Sequence, residues 1–222
     1  MSKNPYAPDF KNLPVSLPVF PLTGVLLLPG GALPLNIFEQ RYLDMVDSAF
    51  KADRMIGIIQ PKTPNYDGMI DKPELSTIGC AGKITDFTQT SDGRYLISLN
   101  GICRFEVREE LNVTTTYRQA KVDWSTYKDD LDSVGCIDLD REKLVPLLQK
   151  YFEKEGLECD WSMIEQTSDE KLITCLSMIC PFEPQEKQAL LEARCCNERA
   201  SLFMTMLDIA CSGEIDKSNM QH

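Results

Sequence analysis

Nine cysteines and one histidine are the residues of this 222-residue chain best suited to chemistry. Thiolates and imidazoles bind zinc, and a thiolate activated by an imidazole is a nucleophile. The cysteines form no Cys-x-x-Cys pair, however, and the one histidine is the terminal His222. Cys195 and Cys196 are neighbours, so on a helix they face different directions and do not chelate one ion. We therefore predict no metal, no cofactor and no Ser-His or Cys-His nucleophile.

Paired carboxylates are the other candidates for catalysis, and they occur at Glu109-Glu110 and Asp129-Asp130. Adjacent residues of a strand face opposite sides, so we interpret both pairs as solvated charges. A redox role for a cysteine stays open as an alternative. It is disfavoured because a reactive thiolate needs electropositive surroundings, whereas the cysteine-rich half of the chain is acidic. We therefore predict no catalytic residue.

The net charge of −11 lies entirely in the second half of the chain. Residues 1–128 hold 14 basic and 14 acidic side chains, whereas residues 129–222 hold 9 and 20. An acidic half repels phosphate backbones, which disfavours nucleic acid as a partner. No run reaches the ~18 apolar residues of a membrane span, and the N-terminus lacks the apolar core of a secretory signal. We expect a cytoplasmic protein with reduced thiols and no membrane partner.

The elements that position any site begin with the segment 17–36, LPVFPLTGVLLLPGGALPLN. Proline fixes φ and lacks an N–H donor, so this segment is neither a helix nor a long central strand. It predicts short extended pieces, one of them at 25–28, joined by sharp corners such as Pro29-Gly30. The prolines that interrupt it are Pro18, Pro21, Pro29 and Pro34.

The remaining pattern predicts strands first and helices afterwards. Periodicity predicts an amphipathic helix over 38–50, a polar loop over 61–76 and a hairpin at Asp92-Gly93. Helical stripes follow from about residue 140. This order predicts an α+β fold, with a β pseudo-barrel and one helix in residues 1–128 and an acidic α-helical bundle in residues 129–222. Strands are predicted at 56–59, 84–90, 94–100, 102–110 and 117–124, and helices around 144–155, 169–179, 184–191 and 197–210.

Four stretches together resemble the N-terminal (LON) domain of the ATP-dependent protease Lon. They are residues 17–36, IGIIQP at 56–61, the glycine-bearing strands of 78–105, and CPFEPQEKQALLEA at 180–193. The resemblance covers roughly residues 17–210 and is closest to free-standing bacterial proteins made of this domain alone. It implies a pseudo-barrel of the PUA-like type. The residues it marks as structural are Pro29, Gly30, Pro34, Gly79, Gly93 and Gly101.

The resemblance also implies a function, which is to hold polypeptide segments or a partner protein without catalysis. The chain has neither the G-x-x-x-x-G-K-[ST] loop of an ATPase nor a stretch resembling the Ser-Lys peptidase module of Lon. Extended peptides can add to open strand edges, so the candidate contacts lie on the strand corners and the long loop. These candidates are Leu33, Phe38, Tyr66 and Met69.

Two alternatives to peptide binding stay open. A PUA-like barrel also suits an RNA-binding protein, which predicts a basic stripe with stacking aromatics. A pocket between the barrel and the bundle suits a small-molecule sensor or a small enzyme. The sequence specifies neither the bound partner nor the oligomeric state.

Overall fold

Six strands and six α-helices make up the described part of the chain, and the strands precede all helices but one, as predicted. The helix at Trp161–Gln166 was not predicted, and the strands predicted at 94–100 and 102–110 form one continuous strand. The computed structural model describes residues 5–65, 70, 72–132 and 139–212. Short 3-10 segments lie at Phe10–Asn12 and Ser125–Leu131. The strands are β1 (Ser16–Pro21), β2 (Ala32–Ile37), β3 (Met55–Pro61), β4 (Leu75–Gln89), β5 (Tyr95–Glu110) and β6 (Arg118–Asp123). The helices are α1 (Gln40–Phe50), α2 (Arg141–Glu155), α3 (Trp161–Gln166), α4 (Asp169–Ile179), α5 (Pro184–Glu192) and α6 (Cys196–Ser212).

Five of the strands form a ring. The sheet order is β2-β5-β4-β3-β1-β6, and a further pairing of β5 with β6 connects the two sides. β1 pairs with β3 in parallel, and the other pairs are antiparallel. β5 pairs with β4 along one edge and with two strands along the other, where its first residues pair with β2 and its last residues pair with β6. The chain is therefore a mixed α/β structure in which β2 is left at the edge of the sheet.

The interior of the ring is filled by alternate side chains from all five strands. The aromatic ring of Phe105 is fully buried there. It packs over Gly57 and Gly79, where an added Cβ would lie 2.8 and 2.6 Å from its Cζ atom. These two positions have to be glycine because a side chain would overlap the phenyl ring. The buried ring-strand residues of this core are Leu17, Val19, Met55, Ile59, Ala81, Ile102, Cys103, Phe105, Ala120 and Val122.

A second core lies on the outer face of the strands and continues into the helices. Ile56 and Ile58 of β3 point away from the ring interior and share one apolar cluster with Leu144 of α2, Leu190 of α5 and Phe203 of α6. Burying these side chains stabilises the strands and the helices together, at about 25 cal/mol per Å² of apolar surface. The helical half is thus packed directly on the sheet.

The predicted strand at 25–28 is wrong. Leu26, Leu27 and Leu28 are buried as expected, but the structure assigns no strand to them. The segment runs between Gly24, at φ 71°, and the Pro29-Gly30 turn, so it fills the core as an irregular connection. An apolar run indicates that its side chains are buried, but it does not show whether the backbone pairs with another strand.

The residues marked as structural occupy corners and close approaches. Gly30 (φ 75°) and Gly93 (φ 85°) adopt the left-handed conformation in turns, which favours glycine. Gly101 lies against the carbonyl of Leu28. A Cβ at this position would lie 2.0 Å from that oxygen, so a side chain does not fit. Pro29 is the first residue of the Pro29-Gly30 turn, and Pro34 lies in the edge strand β2.

Arg104 on β5 joins the strands to the helices. Its guanidinium pairs with Asp130 through Nε (2.9 Å) and Nη2 (2.8 Å). Nη1 donates to the carbonyl oxygens of Leu191 (2.9 Å) and Ala193 (2.5 Å) at the end of α5. The Tyr127 ring centroid lies 4.2 Å from the guanidinium carbon of Arg104, and Arg104 is only 3% exposed. One buried cation therefore holds β5, the 3-10 segment and α5 in register.

Replacing Asp130 with alanine should destabilise the fold strongly. The change leaves the Arg104 guanidinium buried without a counterion, which costs about 3–5 kcal/mol of unfolding free energy. Urea denaturation followed by circular dichroism measures this loss. The matched control is Asp123→Ala, which breaks the exposed pair between Asp123 and Arg108 on the same strand. Equal losses for the two variants would contradict the role given to Arg104.

Candidate functional site

The structure describes two of the four predicted contact residues, and these two differ in exposure. Phe38 follows β2 and is 64% exposed, with the Arg94 guanidinium 5.9 Å from its ring centroid. Leu33 is half-buried and packs against the outer core. Tyr66 and Met69 lie outside the described residues. Of the described candidates, Phe38 is therefore the one that is available to a ligand.

Phe38 lies at the mouth of a cleft of about 670 Å³, which we call the β2–α1 cleft. This volume falls within the range of ligand-binding pockets in proteins. Its walls come from the end of β1, the end of β2 with the start of α1, the loop after β3 and the β5–β6 connection. The lining residues are Phe20–Thr23, Leu35–Glu39, Arg41, Tyr42, Pro61, Asn65, Ile70, Lys72, Pro73, Glu110–Val113 and Thr115–Arg118.

The floor of the cleft is apolar. The rings of Phe20 and Tyr42 pack with their centroids 4.0 Å apart, and Ile37 and Tyr117 are buried beside them. Burial raises the pKa of Tyr42, so its hydroxyl stays protonated at neutral pH. Such a floor binds apolar side chains because it removes them from water.

The five charged side chains that line the cleft in the described part of the chain all take part in ion pairs. Arg118 binds Glu110 in a bidentate pair, with Nε–Oε1 at 3.0 Å and Nη2–Oε2 at 2.6 Å. Lys72 lies 3.0 Å from the same carboxylate, and Arg41 pairs with Glu39 at 2.8 Å. The Arg118 bonds hold the pKa of Glu110 below its ordinary value. The three cations and two carboxylates leave the rim with a net charge of +1, which gives it little power to select or reject a charged ligand.

Among the described residues, β2 pairs with β5 alone, and its other edge leads into this cleft. Gly31 accepts a hydrogen bond from Gly101, so by antiparallel alternation Leu33, Leu35 and Ile37 are the residues that bond to β5. The main-chain groups between them, including those of Pro34 and Asn36, face the open side. An extended polypeptide can add to such an edge by main-chain hydrogen bonds.

Within the described part of the chain, no group of three or more His, Cys, Asp or Glu side chains is placed to hold a metal ion. Among the same residues, no helix combines the length and the apolar character needed to cross a bilayer. Burial raises the pKa of the Cys80 and Cys103 thiols, and it raises that of Cys180 to about 12. These three cysteines are therefore protonated and unreactive at neutral pH.

Sequence reasoning missed Tyr42, Glu110 and Arg118 as cleft residues. Glu110 ends β5 and Arg118 begins β6, so the β5–β6 pairing brings them together. Opposite charges on both sides of a short connection between two predicted strands were the available signal, because cross-strand ion pairs commonly stabilise hairpins. Tyr42 gave no signal beyond its place in an amphipathic helix.

A comparison with protein families matches residues 16–208 to the ATP-dependent protease La (LON) substrate-binding domain. Lon protease 2 of Myxococcus xanthus is 22% identical over 227 residues, covering 96% of this chain and 27% of the relative. Lon protease of Cytophaga hutchinsonii is 26% identical, covering 90% and 25%. The chain thus spans about a quarter of the length of these curated relatives.

Solved structures show the same fold. The Lon N-terminal domain protein from Xanthomonas campestris matches with a TM-score of 0.59 and 23% identity, over 86% of this chain and 97% of that one. The N-terminal domain of Mycobacterium avium complex Lon protease matches with a TM-score of 0.57 and 15% identity, over 87% and 98%. Both likenesses extend over the strands and the helices together.

The Arg118–Glu110 pair predicts a pH-dependent stability. The folded-state pKa of Glu110 is lowered from 4.5, so its stabilisation is complete above that pH and is lost as the pH falls below it. Glu110→Gln should therefore lower the unfolding free energy by about 1 kcal/mol at pH 7, and by much less at pH 3. Urea titrations at both pH values measure the difference. Glu109→Gln, which removes a carboxylate from the exposed side of the same strand, should have a smaller effect at pH 7. A Glu110→Gln effect that is the same at pH 3 and pH 7 would contradict the pairing.

Proposed function

Because the chain belongs to the family of LON substrate-binding domains, we propose that it is a non-catalytic module that binds polypeptide segments in the β2–α1 cleft. The observation that carries this proposal is a cleft with an apolar floor beside a strand edge that is unpaired among the described residues. The family match supplies the class of ligand, and the cleft supplies a place for it.

The two parts of the cleft suit two parts of a bound chain. The edge of β2 offers main-chain acceptors and, except at Pro34, main-chain donors, which a polypeptide can use regardless of its sequence. The floor around Phe20 and Tyr42 takes an apolar side chain, and Phe38 at the mouth adds an exposed aromatic surface. Since the rim charges are already paired, we propose a site that tolerates many sequences with an apolar residue.

Tyr66 and Met69 remain proposed contacts. They belong to the loop between β3 and β4, and both Asn65 before them and Ile70 after them line the cleft. Leu33 is a weaker proposal because it packs against the outer core.

We also propose that the five-stranded ring is a pseudo-barrel of the PUA-like type. Its support is the β5–β6 pairing that connects the two sides of the sheet. We further propose that the chain has two subdomains, the pseudo-barrel in residues 1–128 and the helices in residues 129–222. Their support is the change from strands to helices between Asp123 and Arg141.

The proposed biological role is to capture chains for a protease. The 222 residues carry no G-x-x-x-x-G-K-[ST] sequence, so we propose that ATP hydrolysis and peptide cleavage are supplied from outside this module. RNA binding is the less favoured role because Arg41, Lys72 and Arg118 are each paired with a carboxylate, Lys72 and Arg118 with the same one. A phosphate backbone would have to displace those partners.

Phe38→Ala should weaken polypeptide binding about tenfold, or about 1.4 kcal/mol, because the truncated side chain no longer buries aromatic surface against the bound chain. The probe is a fluorescein-labelled, reduced and carboxymethylated protein that stays unfolded, and the readout is its dissociation constant by fluorescence anisotropy. The matched control is Phe10→Ala, which truncates another exposed phenylalanine outside the cleft.

Two results would contradict the proposal. One is a wild-type protein that does not bind the unfolded probe at all. The other is an equal loss of affinity in the Phe38 and Phe10 variants, which would mean that binding does not occur at the cleft. A labelled single-stranded RNA of similar length serves as the competing ligand, and salt-sensitive retention of it would favour the RNA-binding alternative.

A further inference from the structure

Both main-chain groups of Gly24 are held by side chains from distant parts of the sequence. Its N–H donates to Gln60 Oε1 of β3 at 3.0 Å, and its carbonyl oxygen accepts from Lys187 Nζ of α5 at 2.9 Å. Gly24 itself adopts the left-handed conformation at φ 71°. The position of this corner is therefore set by one strand and one helix at the same time.

The corner continues directly into a wall of the β2–α1 cleft. Thr23, the preceding residue, accepts a hydrogen bond on its hydroxyl oxygen from the N–H of Asn65 at 3.0 Å. Leu22 donates its N–H to the carbonyl of Ile59 at 3.0 Å. Leu22, Thr23 and Asn65 all line the cleft. A shift of Gly24 would therefore move this wall and the start of the loop after β3.

The helix that holds Gly24 is itself firmly placed. Gln60 donates from Nε2 to the carbonyl of Pro184, in the first turn of α5, at 2.9 Å. A capping box between Glu183 and Glu186 begins the helix, with the Glu183 N–H bonded to Glu186 Oε2 at 2.9 Å. Since a capped first turn does not fray, Lys187 projects from a fixed backbone.

Lys187 is an unusual choice for a residue with a purely structural role. It is 7% exposed, and its bonds within the described residues go to the carbonyls of Gly24 and, at 3.4 Å, Met178. Burial lowers its pKa, which shows that the site disfavours the charged form. An apolar side chain would fill the same space without this desolvation cost. The lysine contributes directed bonds to Gly24, which an apolar side chain lacks.

We propose that Lys187 is a positioning residue for the β2–α1 cleft, through which α5 sets the place of the cleft wall at Leu22, Thr23 and Asn65. The binding consequence of this inference rests on the proposed function. Its structural consequence is independent of any ligand. The helical half of the molecule and the cleft are thus coupled, so a displacement of α5 changes the cleft.

The test compares Lys187→Met with Arg141→Met. Arg141 also ties one helix to others, since it bonds Asp169 at 2.6 Å and the carbonyl of Ile164 at 2.8 Å, but it lies away from the cleft. Amide hydrogen exchange by NMR follows the N–H groups of Leu22, Gly24 and Asn65. We expect exchange about tenfold faster in Lys187→Met, because local opening then costs one hydrogen bond less. The Arg141 variant should leave these amides unchanged.

Affinity for the unfolded, carboxymethylated probe is the second measurement. It should fall about tenfold in Lys187→Met, since a misplaced wall loses contacts that depend on fit, and should be unchanged in Arg141→Met. Faster exchange without any wild-type probe binding supports the positioning role and overturns the proposed function. Unchanged exchange in Lys187→Met, or equal changes in both variants, overturns the inference. If Lys187→Met does not fold, Gln60→Leu tests the same corner from its other side by removing the bonds to the Gly24 N–H and to the Pro184 carbonyl. Unchanged exchange of the Leu22 and Asn65 amides in that variant overturns the inference.

Discussion

The buried guanidinium of Arg104 is the interaction on which the relation between strands and helices depends. A charge in this position is stable only when every donor has a partner, and here a carboxylate, two carbonyls and an aromatic face supply them. The carbonyls belong to the end of α5, where the helix dipole is negative. Only a guanidinium, with its five N–H donors in a fixed plane, can bond the Asp130 carboxylate and the carbonyls of Leu191 and Ala193 at the same time.

The same helix is fixed at its other end by Gln60 and Lys187, so α5 connects two places on the sheet. Arg104 sets its C-terminal end against β5, and the Gly24 corner sets its N-terminal part against β3 and the cleft wall. The cleft therefore inherits its shape from contacts made by both halves of the chain. The family match and the structural likenesses also include the helices and do not stop at the strands.

Local rules predicted most of the elements but not the site. Pro29-Gly30 and Asp92-Gly93 predicted turns because glycine at positive φ has few substitutes, and the structure has both. The family resemblance inferred from residues 17–36 and 180–193 is confirmed by the match over 16–208. The cleft was out of reach because it joins Phe20, Tyr42 and Arg118, which only long-range strand pairing brings together. The error at 25–28 has a related cause, since burial alone does not specify a hydrogen-bonded partner.

Pro34 has a consequence for how the molecule behaves at high concentration. Its nitrogen faces the open side of β2, where an added strand would seek a donor and find none. Two copies that joined through their β2 edges would each bring this gap, whereas a foreign chain brings only its own complete set of donors. Pro34 therefore disfavours the pairing of two β2 edges, and with it fibre formation, more than it disfavours the addition of a different polypeptide. The edge carries no charge, and it stays open while its self-association is disfavoured.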